Sequence, residues 1–140
     1  MADILKGYRT YLLTKSPVTA VCSTRIYYGN LPENPTYPAV VLHLIARDSQ
    51  RHLTNAAGLA RSTVQTDCHA QTHDTAEDLS EQVRRVTEHY TGAWGAETIR
   101  HAQVSGIVDL SENPMDGSQL FNHIRSMDVV AWHTEALPST

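Results

Sequence analysis

The sequence predicts an α+β fold: a single domain with a mixed or antiparallel sheet of about five strands, an N-terminal helix, and one long amphipathic helix packed on the sheet. Three observations predict it. Apolar residues recur at helical spacing near the N-terminus and again from Asp74 onward. The most apolar run, Ala39 to Ala46, has the length of a strand and lies between a proline-rich and a polar segment. Arg61 to Gln71 alternates with the two-residue period of a half-buried strand.

The elements follow in order. Between Asp3 and Thr14, residues Ile4, Leu5, Tyr8, Leu12 and Leu13 form an apolar stripe; Asp3 can cap it, and Gly7 weakens it by about 1 kcal/mol relative to alanine. Ser16-Pro17 reads as a new N-cap with proline in the first helical position, opening a short helix through Val21. Arg25 to Tyr28 is a short strand stopped by Gly29-Asn30. Leu31 to Pro38 is irregular, because Pro32, Pro35 and Pro38 each fix φ and lack a donor. Ala39 to Ala46 is apolar on both faces apart from His43, which predicts a central strand covered on both sides. Arg47 to Gly58 is polar and reads as a long loop, a length often associated with function.

In the alternating strand, Arg61, Thr63, Gln65, Asp67, His69 and Gln71 form a wet or interfacial face, and Val64, Thr66, Cys68 and Ala70 a dry one. Asp74 is placed to cap the long helix, with Glu77 completing a capping box. Ala76, Leu79, Val83, Val86 and Tyr90 make its apolar stripe, opposite Glu81, Arg84, Arg85 and Glu88, and Gly92 is placed to end it. Ala102, Val104, Val108 and Leu110 suggest one further strand and Leu120 to His133 a last, long one, separated by a second polar loop, Ser111 to Ser118. Residues 1–133 are thus expected to be one domain and 134–140 a flexible tail.

Composition narrows the function classes. A chain of 140 residues can bury about two thirds of its unfolded surface without staples. Its net charge of −4 argues against a surface built to grip DNA or an anionic membrane. No window approaches the roughly 18 apolar residues of a membrane span, and Met1-Ala2-Asp3-Ile4 does not open a secretory leader. Two distant cysteines, Cys22 and Cys68, suit a reducing compartment.

Catalytic signatures are not found. The four-residue spacing of His69 and His73 would place two ligands together only on a helix, and here it spans a strand end and a helix start. Asp67 and His69 share a strand face, yet no third metal ligand is nominated. There is no Gly-x-Ser-x-Gly elbow, and Gly92-Ala93-Trp94-Gly95 follows a helix where a phosphate-cradling loop would precede one. A protein that is not an enzyme, without metal or cofactor, is the expectation. The candidate functional residues are therefore those of the two polar loops: Arg47, Asp48, Gln50, Arg51, His52, Leu53 and Asn55 in the first, Glu112, Asn113, Met115 and Asp116 in the second.

The order of pieces resembles the tail-completion, or tail-terminator, family of long-tailed bacteriophages and gene-transfer particles. Three stretches carry the resemblance, from about Ile4 to about Trp132. They are the opening helix with Val21 to Tyr27 and the link into Tyr37-Pro38-Ala39-Val40-Val41, then Gly58 to Cys68 running into Asp74-Thr75-Ala76, and lastly Leu120 to Val129. The resemblance implies a structural virion protein at the head–tail junction, assembled in the host cytoplasm. It implies a homo-oligomeric ring of six copies that caps the tail tube protein and meets the head connector or stopper, with genomic DNA passing through unbound. A head-completion (stopper) protein, or a small ferredoxin-like enzyme or ligand-binding domain, are the alternative readings of the same pattern.

Overall fold

Helix α1 (Ile4–Leu13) buries Ile4, Gly7, Tyr8, Tyr11 and Leu12, the three-to-four spacing of one helical face. In the computed structural model, which describes residues 4–33, 35–51, 56–110 and 123–134, this face is what the rest of the chain closes around. Helix α2 (Ser16–Cys22) follows at once. Its N-cap is Lys15, whose extended backbone (φ −100°, ψ 107°) starts the helix one residue before the expected Ser16, with Pro17 in the first turn. Strand β1 (Ile26–Tyr28) is short, and Arg25 Nε holds the chain across the proline-rich link by donating to the Pro38 carbonyl at 2.8 Å.

Strand β2 (Ala39–Arg51) runs well past Ala46, and β3 (Ala56–Ala70) begins before Arg61. The expected loop from Arg47 to Gly58 is therefore largely strand: Arg47 pairs with Ser62, Asp48 with Arg61 and Arg51 with Ala56. Polar Arg47 and Asp48 are admitted because they are exposed on a stretch of β2 that β1 does not flank.

Helix α3 (His73–Thr87) is capped by Thr72, whose Oγ1 accepts from the Thr75 N–H at 3.2 Å. Asp74, the expected cap, sits inside the first turn, where its charge favours the helix dipole. The helix ends at Thr87, before the expected Gly92. Glu88 is extended and His89 takes φ 62°, which turns the chain so that His89 N–H donates to the Ala102 carbonyl and Ala102 N–H to the Tyr90 carbonyl. Gly92 instead opens β4 (Gly92–Trp94), a strand not expected from sequence, which forms a hairpin with β5 (Glu97–Asp109). The last strand, β6 (His123–Thr134), includes the first residue of the expected tail; residues 135–140 lie outside the described residues.

The sheet has six strands, where about five were expected, in the order β1-β2-β3-β6-β5-β4. It is mixed: β1 runs parallel to β2, and the remaining pairs are antiparallel. Residues from all three helices join Val40, Leu42, Val64, Cys68, Met127, Val129 and Ala131 in one core, so the helices cover one face of the sheet. α1 touches β1 and β2 at one end of the strand order and β4 at the other, which requires the sheet to curl around it.

Trp94 closes that curl. Its ring stacks on Tyr8 at 4.3 Å and lies 5.9 Å from Tyr11, which in turn meets Tyr90 at 4.4 Å. A Cβ at Gly7 would run into the Trp94 carbonyl. The glycine that weakens α1 by propensity thus lets β4 approach the helix.

Candidate functional site

The sheet has a dry face under the helices and an outer face turned away from them. The dry face contains one buried polar relay. His133 Nε2 lies 2.7 Å from Ser62 Oγ, while Nδ1 faces the Thr134 carbonyl at 3.1 Å and Glu97 Oε2 at 3.4 Å. Two acceptors at Nδ1 place the proton there, so Nε2 accepts from the Ser62 hydroxyl. These are the residue types of a nucleophile, a base and its orienting acid. Ser62 and His133 are nevertheless fully buried, and neither groove described below touches them. Bonded in this way, the three side chains fasten β3, β5 and β6 together. The sequence signal for it was phase: His133 follows Val129 and Ala131 on the buried side of β6.

The thiols are equally enclosed. Burial pushes the Cys22 thiol from 9.0 up to about 11 and Cys68 well above its ordinary value. Both are packing residues, poor nucleophiles at neutral pH.

On the outer face, Gln65 Nε2 donates to both Asp67 carboxylate oxygens at 3.1 Å, and His43 Nε2 stands 3.7 Å from Asp67. Asp67 therefore turns to β2 and to Gln65. His73 lies at the start of α3, where Arg125 is hydrogen-bonded to its Nε2 at 2.8 Å. His73, Asp74 and Glu77 bring three ligand atoms within 4.8 Å of one another, all exposed; the adjacent guanidinium opposes a cation there.

Two grooves flank this surface. One, about 460 Å³, lies between α3 and the sheet, with Asp74, Glu77 and Asp78 on one wall and Ile107 and Arg125 on the other. The second, about 270 Å³, runs over the outer face beside Gln65, Asp128, Val108 and Leu110.

The sheet edges are the larger feature. β1 pairs with β2 over Val40–Leu42, and among the described residues no strand pairs with β2 on that side from His43 to Arg51. β4 pairs with Glu97–Ile99 and Tyr90 reaches Ala102; beyond that, no described strand flanks β5 from Gln103 to Asp109 on its outer side. Large apolar side chains stand exposed along both stretches: Leu44 and Ile45 (56% accessible) on β2, Ile107, Val108 (56%) and the following Leu110 on β5. The expected two-sided cover of Ala39 to Ala46 thus holds only for Ala39 to Leu42. Each open stretch carries a bulge, at Leu44/Ala46 and at Ser105/Ile107, where Gly106 takes φ 80°.

Of the candidate residues, Arg47 and Asp48 are exposed on the open part of β2, and Gln50 and Arg51 continue its backbone. His52, Leu53, Asn55, Glu112, Asn113, Met115 and Asp116 lie outside the described residues. Sequence reasoning missed Leu44, Ile45, Ile107 and Val108, because an apolar residue in a strand reads as core whether or not anything covers it.

No protein-family description matches the chain, and no curated protein matches it in sequence. Among solved structures, it is similar to a chain from the virion of a native gene transfer agent (GTA) particle. That chain is 11% identical with a TM-score of 0.64, and the match covers 93% of this chain and 94% of the other. The likeness is one of fold, and it extends over nearly the whole of both chains.

Proposed function

We propose that the protein is a structural component of a phage-like virion that closes the end of the tail tube as a ring of like copies and joins it to the head connector. The observation that carries this reading is the fold shared, end to end, with a chain of a gene transfer agent virion. Two open sheet edges with exposed apolar residues add to it, since such edges in a soluble chain call for a neighbour. The ring has six copies, sits at the head–tail junction, and lets DNA pass without gripping it; the net charge of −4 suits a junction through which DNA must slide. The domain spans residues 1–133, and the segments Arg47 to Asn55 and Ser111 to Ser118 meet the tube or the connector.

The test is to mix purified protein separately with tail tubes and with emptied heads and to image both by negative stain. Capped tube ends that no longer elongate are expected. Binding to heads in preference to tubes would reassign the protein as a stopper, and binding to neither would remove it from the junction.

A further inference from the structure

The bulge at Gly106 reverses the phase of β5. In a regular strand Ser105 and Ile107 would share a face. Here Ser105 pairs with Asp128 and Ile107 with Met127, so the inserted residue moves Ile107 to the other side of the sheet. Met127 is buried in the core, and Ile107 beside it stands on the α3 side. Val108, opposite Ser126, stands on the outer side with Ser105. The two grooves therefore lie on either side of one strand end. Ile107 lines the larger, about 460 Å³, under α3, and Val108 and Leu110 line the smaller, about 270 Å³, on the outer face.

Between the grooves the strand has an open edge, since beyond Ala102 no described strand flanks β5 on its outer side. An extended segment added to such an edge sends alternate side chains to opposite faces of the sheet. One groove on each face at the same edge accommodates that alternation, and exposed Ile107 and Val108 give each set of side chains an apolar contact.

Both grooves carry a surplus of negative charge. Asp74, Glu77, Asp78 and Glu81 line the inner one, with Arg125 the guanidinium among them. Arg84 and Arg85 pair with Glu81, which leaves the carboxylates of Asp74, Glu77 and Asp78 in excess over Arg125 and His73. The outer groove adds Asp128, and no lysine or arginine is among the described residues that line it.

We infer that the open end of β5 receives an extended, basic segment of another protein as an added strand. Its lysine or arginine side chains occupy the α3 groove, and aliphatic ones rest against Val108 and Leu110. The main chain extends the ladder, and the carboxylates of α3 select the charge. Neither a ring nor a tail tube is required for it.

The test uses the full chain and a synthetic peptide of about six residues, roughly 20 Å when extended, with alternating lysine and valine and blocked termini. Two control peptides accompany it, one with glutamate in place of lysine and one with lysine kept but the backbone amides methylated. Fluorescence anisotropy reads binding, and hydrogen exchange locates it. The lysine–valine peptide should bind saturably, slow exchange of edge amides between Gln103 and Val108, and bind less as salt rises. The methylated peptide keeps its charge but cannot complete a ladder, so it should bind at least about tenfold more weakly. Glu77→Lys/Asp78→Lys, at exposed positions of α3, should weaken the lysine peptide at least about tenfold and make the glutamate peptide the better ligand. Circular dichroism and thermal melting verify that this variant folds, and Ile107→Lys applies the same charge test from β5 if it does not. Equal binding of the methylated peptide would mean a merely acidic surface and would overturn the inference. So would protection confined to another edge, or no saturable binding up to about 1 mM. Edge amides already protected without peptide would show the place taken, by the chain itself if native mass spectrometry finds a monomer and by a second copy if it finds a dimer. Either result overturns the assignment to a basic partner.

Discussion

The Trp94 corner and the open part of the sheet are built from similar residues and end in opposite states. Around Trp94, aromatic rings from α1 and from the segment after α3 interlock, and the hydroxyls of Tyr8 and Tyr11 find Thr87 and the Val86 carbonyl. Burial pushes Tyr11 up to about 12 and Tyr8 further still, as expected of phenols held away from water. Along β2 and β5, Leu44, Ile45, Ile107, Val108 and Leu110 have the same hydrophobic character and stay exposed. The first region is buried within one chain, its one loose end being the Trp94 Nε1 N–H, which finds no partner among the described residues; the second is an apolar surface still able to be buried. The difference separates what holds the fold from what the fold presents.

The strongest way to break that separation is Leu79→Asp. Leu79 is fully buried on α3, and a carboxylate there has no partner within the core. Its cost should exceed about 4 kcal/mol, a large share of a typical domain's stability. Loss of the cooperative thermal transition in circular dichroism is the expected outcome. A variant that melts like wild type would mean that α3 does not seal the core.

Next in size is Gly7→Ala. By propensity alone, alanine within a helix should stabilise by about 1 kcal/mol. Contact with the Trp94 carbonyl predicts the opposite sign, a loss of about 1–3 kcal/mol from overpacking. Urea denaturation at equilibrium decides between them: a lower midpoint with an unchanged slope is expected, and a higher midpoint would place β4 farther from α1.

Gly7 also shows where the sequence was legible and where it was not. Periodicity located α1 and α3, and alternation located the two faces of β3, because burial imposes those periods directly on the residues. β4 was not legible, since its three residues carry too short a pattern and its position depends on a helix more than eighty residues earlier. The stretch from Arg47 to Gly58 read as loop because the polar residues Arg47 and Asp48, exposed on β2, show no apolar face to advertise a strand. The relay of Ser62, Glu97 and His133 joins three strands: phase places His133 on the buried side of β6, but only the register reveals its partners. For the functional surface, Arg47 and Asp48 drew notice as charges in a polar stretch. Their apolar neighbours Leu44 and Ile45 did not, because nothing in a strand's sequence states that its edge is open.

The smallest effect on stability is expected from Arg47→Glu combined with Arg51→Glu. Both residues lie on the part of β2 that projects past β1, and Arg47 is exposed. Charges in such surroundings are screened and contribute little to folding, so the double variant should melt within about 0.5 kcal/mol of wild type. Assembly should suffer disproportionately, since the proposed function sets this segment against another virion protein and reversing the charge of exposed Arg47 would disturb that contact. Comparing the melting curve with native mass spectrometry on the same sample separates the two effects. A fall in stability of 2 kcal/mol or more, taken as about four times the surface expectation, would mean that this end of β2 supports its own chain. Unchanged melting with unchanged assembly would make it a solvated strand end, and the contrast between the two regions would then rest on Leu44 and Ile45 alone.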